Sequence, residues 1–251
     1  MSIIEIVRHG EVAVLHVRAG KGNAMSPTML TALRAAVTDV DRSDARALVI
    51  TGDSGFFSAG LALPEIIDFD RAQAREFIDL FADAMRTVLV ATLPVVAAIN
   101  GHAIAGGCVL ALQCDARLAA NAPIKIGLNE VQLGIGLPAV VVEVLRLRVP
   151  ASSLAPIALE GNLFEPARAR ELGLIDELVA PPEHLARAIA RASELARGPR
   201  AAFAQVKSAL SRHAVGAIDA IGADERERWL DTWFTPSAQT ILRAAVARLK
   251  K

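Results

Sequence analysis

Twice in this chain an apolar, strand-like run ends in a turn of small residues that opens into a segment fit to start a helix. Ala45 to Thr51 leads to Phe57-Ser58-Ala59-Gly60-Leu61-Ala62-Leu63. Pro94 to Ile99 leads to Asn100-Gly101-His102-Ala103-Ile104-Ala105-Gly106-Gly107-Cys108. Continuous apolar strands alternating with helices imply an α/β fold with a parallel sheet covered by helices. Turns this poor in side chains leave main-chain N–H groups open to a ligand. Two such groups, one per turn, converging on one oxygen make an oxyanion hole, which stabilises charge developing on a carbonyl. A Gly-Gly pair after a strand is also an ordinary tight turn. It is the ordered pair of turns that points to chemistry.

The remaining chain fills in the same pattern. Ile3 to Val7 and Val12 to Val17 read as a hairpin around His9-Gly10. Ser26-Pro27 starts a helix, with Ser as N-cap and Pro in the first turn. Met29, Leu33, Ala36, Val37 and Val40 then recur at helical spacing. Arg71 to Leu89 is a long helix, with Phe77, Phe81, Ala84, Met85 and Val88 on one face. A short apolar helix runs from Gly106 to near Cys114-Asp115. Arg117 to Ala120 and Ile124 to Ile126 are short strands, and Ala139 to Leu147 is helical. After Pro181 the chain reads as almost wholly helical, broken at Gly198-Pro199 and Thr235-Pro236. This divides it into a core over residues 1–195 and a helical region over 196–251.

Composition excludes several classes. Among 251 residues, 53% are hydrophobic and the formal net charge is zero, so a large core is available and nucleic acid is a poor partner. The start is unlike a signal peptide, and no long apolar stretch lacks a charge, so no membrane association is expected. Cys108 and Cys114 lack His or acids at ligand spacing; they read as buried thiols, with no metal site. A cytoplasmic protein is expected.

With these motifs assembled, the chain resembles the crotonase superfamily, the enoyl-CoA hydratase/isomerase family. The resemblance runs from about Val12 to the C-terminus. It is carried by Phe57-Ser58-Ala59-Gly60, by Asn100-Gly101 with Ala105-Gly106-Gly107, and by Leu172-Gly173-Leu174-Ile175-Asp176. Three segments look closer to its 3,2-enoyl-CoA isomerases. They are Phe57 to Leu61, Ala105-Gly106-Gly107-Cys108-Val109-Leu110-Ala111-Leu112, and Ile126-Gly127-Leu128-Asn129-Glu130 followed by Leu133-Gly134-Ile135. The resemblance implies a crotonase-like spiral of ββα units with a helical C-terminal subdomain used in assembly and as pocket cover. It also implies a homotrimer or hexamer and an acyl-CoA thioester as ligand, with coenzyme A part of the substrate and no separate cofactor.

Carried over position by position, the oxyanion donors are the N–H groups of Leu61 and Gly106. The family's hydratases use two glutamates. The second falls on Glu130, while the first falls on Val109, which cannot activate water. A single base suits a double-bond shift, taking a proton from C2 and returning it at C4. The resemblance therefore favours isomerisation of 3-enoyl-CoA to 2-enoyl-CoA. A hydratase and a catalytically silent acyl-CoA-binding protein remain as alternatives. Lys21, Ala24, Ala59, Leu61, Gly106 and Val109 are the expected substrate contacts, and the segment from Glu65 to Arg75 is expected to border the acyl pocket. A Cβ at position 106 is expected to crowd the thioester oxygen. Two positions depart from the family pattern. Ala62 stands where an acid is usual, and Gly134-Ile135-Gly136-Leu137-Pro138 displaces the usual proline. Lys207 reads either as a CoA contact or as a surface charge, His102 as packing in the turn, and Asp115 as structural. Trp229 and Trp233, four apart on one helix, read as core or subunit contact.

Overall fold

The computed structural model describes residues 3–53 and 55–249. Met1-Ser2, Ser54 and the final Lys250-Lys251 lie outside them. Antiparallel strands β1 (Ile4–His9) and β2 (Val12–Val17) form the expected hairpin at the edge of a six-stranded sheet. Next to β2 lie β3 (Ala47–Thr51), β5 (Val95–Ile99), β7 (Ala116–Ala120) and β10 (Glu177–Val179), each parallel to its neighbour. A second sheet of four short strands, β4 (Phe56–Ser58), β6 (His102–Ile104), β8 (Ile126–Gly127) and β9 (Leu163–Phe164), stacks the segments that follow. Each circuit of the chain is thus one strand in each sheet and then helix. β3 and β4 lead to α2 (Leu63–Ile66) and α3 (Arg71–Val90), β5 and β6 to α4 (Gly106–Gln113), and β7 and β8 to α5 (Ala139–Arg148). This is the spiral of ββα units that the resemblance implied.

Local chemistry accounts for the helix starts. Helix α1 (Pro27–Arg42) is capped by the Ser26 hydroxyl, which accepts from the Met29 N–H at 3.2 Å. Asp70 and Gln73 form a reciprocal capping box on α3. Alternation along β2 splits the core in two. Ala13, Leu15 and Val17 face α1 and α3, while Val12 and Val14 face α7 (His184–Leu195) through Ala188 and Ala192. All eight residues of α4 are buried, so this helix runs through the centre of the molecule. Both cysteines are free and buried, and burial pushes each thiol up to about 12.

The short strand expected at Ile124 to Ile126 forms instead at Ile126–Gly127, because Ala103 N–H bonds to Lys125 O and starts the ladder later. Helix α6 (Pro166–Glu171) packs between β9 and β10. The C-terminal region holds α8 (Arg200–Asp219), α9 (Ala223–Trp233) and α10 (Pro236–Leu249), with one break, at Ile221-Gly222, that was not foreseen. Helix α10 returns onto α2 and α9, burying Ala238, Leu242 and Val246. Among the described residues no helix is long and apolar enough to cross a membrane.

Candidate active site

The two turns meet. Gly60 has φ +89°, a conformation open to glycine at little cost. A Cβ added there would lie 2.9 Å from Ala105 Cβ and 3.1 Å from Gly106 N. The first turn is tied to Met25 by two backbone bonds, Met25 N–H to Gly60 O at 2.8 Å and Ala62 N–H to Met25 O at 3.1 Å. These flank Leu61, so its own N–H points away from Met25. This main-chain pairing holds the first turn, and Ala62 is buried as the lead-in to α2. In the second turn Ala105 takes φ +51°, strained for a residue with a Cβ. Its N–H bonds to Gly127 O at 2.9 Å and its carbonyl accepts from Val109 N–H at 3.0 Å, which fixes the first turn of α4. Among the described residues, no acceptor takes the N–H of Leu61 or of Gly106.

Both residues line a cavity of about 340 Å³. Its walls are mainly apolar, including Ile78 and Phe81 from α3, Leu133, Ile135 and Val141, with Trp229 from α9. Ala245, Arg248 and Leu249 of α10 complete it. Glu130 is the only carboxylate on the described lining. It follows Asn129 and opens a short 3-10 turn closed by Gly134 at φ +79°. Glu130 is only 9% exposed, and its Oε2 has no hydrogen-bond partner; nor does Asn129 Oδ1. Burial lifts the Glu130 carboxyl from its ordinary 4.5 to about 7, with the backbone N–H groups of Glu130 and Asn129 pulling it partly back. A near-neutral carboxyl and two unpaired N–H donors on one apolar wall can move a proton and hold an oxyanion.

The structure brings together Ala59, Leu61, Gly106 and Glu130 on this wall. Lys21 and Ala24 are not on it; exposed Lys21 and half-buried Ala24 sit in the loop that pairs with the first turn, through Ala59 N–H to Gly22 O at 2.8 Å. Val109 is not on it either: it lies one turn along α4, fully enclosed in the core. No residue from Glu65 to Arg75 borders the cavity; α3 contributes one and two turns later, at Ile78 and Phe81. A Cβ at Gly106 would point at Met25 Sδ (3.0 Å), Gly60 Cα and Phe81 Cε2 (3.4 Å each), so it would strike the facing turn instead of crowding the cavity directly. The shifted segment Gly134 to Pro138 does form part of the wall, through Ile135, Gly136 and Pro138.

Lys207 is not a surface charge, and it lies off the cavity wall. It is buried, donating to Asp115 Oδ2 at 2.7 Å. Asp115 is structural, as read, and also accepts from Val95 N–H at 2.9 Å. His102 packs on Phe56, and its Nδ1 accepts from Lys125 N–H at 3.0 Å. Sequence reasoning missed Asn129 and the contributions of Trp229, Ala245, Arg248 and Leu249. Nothing local to the C-terminal helices marks which of their faces returns to the site.

The sequence profile of the enoyl-CoA hydratase/isomerase family matches residues 8–231. The 2,3-dehydroadipyl-CoA hydratase of Escherichia coli is 31% identical over 84% of this chain and 80% of its own length. Human mitochondrial enoyl-CoA delta isomerase 1 is 33% identical over 67% of this chain and 57% of its own length. The crystal structure of human mitochondrial delta3-delta2-enoyl-CoA isomerase superposes with a TM-score of 0.95, at 27% identity, covering 99% of this chain and 98% of that one. Family profile, relatives and fold agree with the two meeting turns and the spiral that carries them: the chain belongs to the enoyl-CoA hydratase/isomerase family, whose members act on acyl-CoA thioesters.

Proposed function

We propose that this protein shifts the double bond of a 3-enoyl-CoA to give 2-enoyl-CoA. The observation that carries the reading is that Glu130 alone supplies a carboxylate to the described wall of the cavity. The thioester oxygen would accept from the N–H groups of Leu61 and Gly106, which makes the C2 protons acidic. Glu130 then takes a proton from C2. The electron pair delocalises through the former double bond, the oxyanion hole holds the negative oxygen, and Glu130 returns the proton at C4. The double bond ends conjugated to the thioester, and Glu130 ends in its starting state. Coenzyme A is part of the substrate, and the scheme needs no metal or redox cofactor. Lys21 and Ala24, in the loop beside the Ala59 turn, would meet the CoA portion. Val109, enclosed in the core, leaves no carboxylate at the position where the family's hydratases carry a second acid. The match to a delta3-delta2 isomerase over nearly the whole chain supports this reading.

A hydratase is the second reading. It is favoured by Asn129 Oδ1, an unpaired buried acceptor next to Glu130 in sequence, which could help orient a water. Assaying 3-enoyl-CoA and 2-enoyl-CoA side by side separates the two. Isomerisation should outpace hydration, and faster hydration of 2-enoyl-CoA would overturn the proposal. Assembly as a homotrimer or hexamer is part of the same proposal. Its support is the exposed apolar pair on α8, Val206 and Leu210, at 53% and 71%. Light scattering on the purified protein would test it.

A further inference from the structure

The candidate active-site cavity has a neighbour of about 410 Å³, enclosed by α3, the start of α5, the end of α8 and α9. Three residues, Ile78, Pro138 and Trp229, line both spaces. They are therefore a partition with a cavity on each side. The indole is the largest of the three and is held firmly. Its Nε1–H donates to Gly136 O at 2.9 Å, and its ring stacks on Trp233 at 5.6 Å and 27°. Thr232 closes the clamp, accepting from Gly136 N–H at 2.9 Å and donating to Trp229 O at 2.7 Å.

The two sides differ in chemistry. The near side is mainly apolar, through Phe81, Leu133, Ile135 and Val141. The far side carries the ion pairs Arg86–Asp219 at 2.6 Å and Arg226–Asp79 at 2.9 Å. An alkyl chain gains roughly fourfold in affinity for each methylene it buries in apolar surroundings. The far space also offers apolar side chains, Ala82, Val140, Ile218 and Ile221, but the indole stands between them and a chain in the near space. A chain entering from the thioester end is thus favoured up to the indole and no further.

We propose that Trp229, backed by Ile78 and Pro138, is the end wall of the acyl pocket and sets the longest acyl chain this protein accepts. This rests on the acyl-CoA reading above. The test is calorimetric titration of the full-length protein with butyryl-, octanoyl- and palmitoyl-CoA, a readout that does not need turnover. In the wild type, affinity should rise from butyryl to octanoyl and then level off or fall. In Trp229→Ala the two spaces join, and the palmitoyl-to-butyryl affinity ratio should rise by about tenfold or more. Trp229→Leu, which keeps more of the packing, should move the ratio in the same direction if Trp229→Ala does not fold. Ala82→Phe fills only the far cavity; it should leave the wild-type profile as it is and cancel the gain in Trp229→Leu. A wild-type affinity that climbs steadily to palmitoyl-CoA, or an unchanged ratio in a folded Trp229 variant, would overturn the wall while leaving the acyl-CoA reading intact. Failure of all three thioesters to bind the wild type would overturn both.

Discussion

At the scale of single residues, Glu130 carries opposing demands. Its carboxyl sits in an apolar wall, so the folded protein holds its proton to about pH 7 where an unfolded chain releases it near 4.5. The folded state therefore binds more protons between those values, and stability falls as pH rises through that window. The loss reaches roughly 3 kcal/mol above pH 7. Glu130→Gln removes the titration. The variant should melt higher than the wild type at pH 8, with the gap closing below pH 4.5. Equal melting temperatures at pH 8 would show that the carboxyl is not held in this way. The same group must be ionised to accept a proton, so kcat/KM of the wild type should rise with pH to a plateau, with a midpoint near 7. Glu130→Gln should lose about 100-fold or more in turnover with thioester binding retained. A fully active variant would remove Glu130 from the chemistry.

At the scale of elements, the start of α4 is where two segments are forced close. Gly107 lies so near β4 that a Cβ would fall 2.1 Å from Ser58 O. Gly106 is less confined. Its nearest obstacle is Met25 Sδ, the movable end of a side chain, with Gly60 Cα behind it. Gly106→Ala should therefore fold and keep measurable turnover as the methionine shifts. Gly106→Val adds branches that the facing backbone cannot yield to, and it should part the two turns. Losing one oxyanion donor costs about 100- to 1000-fold in rate. Turnover in Gly106→Val near that of Gly106→Ala, measured on folded protein, would show that the spacing of the turns does not matter.

At the scale of the whole molecule, one tie between the C-terminal helices and the core runs through the largely buried carboxylate of Asp115. Asp115 accepts from Val95 N–H at the head of β5, from Lys207 on α8 and from Arg148 on α5. Neutralising one partner of a buried pair strands the other, at about 3–5 kcal/mol. Asp115→Asn should lower denaturant stability by an amount in that range while leaving KM close to wild type, because none of these groups lines the cavity. A change below about 1 kcal/mol would match an exposed pair instead.

Much of this was legible in the residues themselves. The apolar hairpin strand Val12 to Val17, the Ser26-Pro27 helix start and the two small-residue turns depend on neighbours a few positions away, so local order displays them. The roles assigned to Leu61, Gly106 and Glu130 came from resemblance, and the structure shows those three on one cavity wall. What depends on distant packing was hidden. Val109 differs little from a pocket residue as text, yet it is enclosed by the elements around α4. Lys207 looks like any helix lysine, and only the approach of α8 to Asp115 buries it. Trp229, Ala245, Arg248 and Leu249 reach the site because α9 and α10 fold back across it. The near-neutral carboxyl of Glu130 has the same origin, since desolvation is a property of everything packed around a group and not of its place in the chain. Local sequence determined the elements and the turns; their assembly decided which side chains share a cavity and which are denied water.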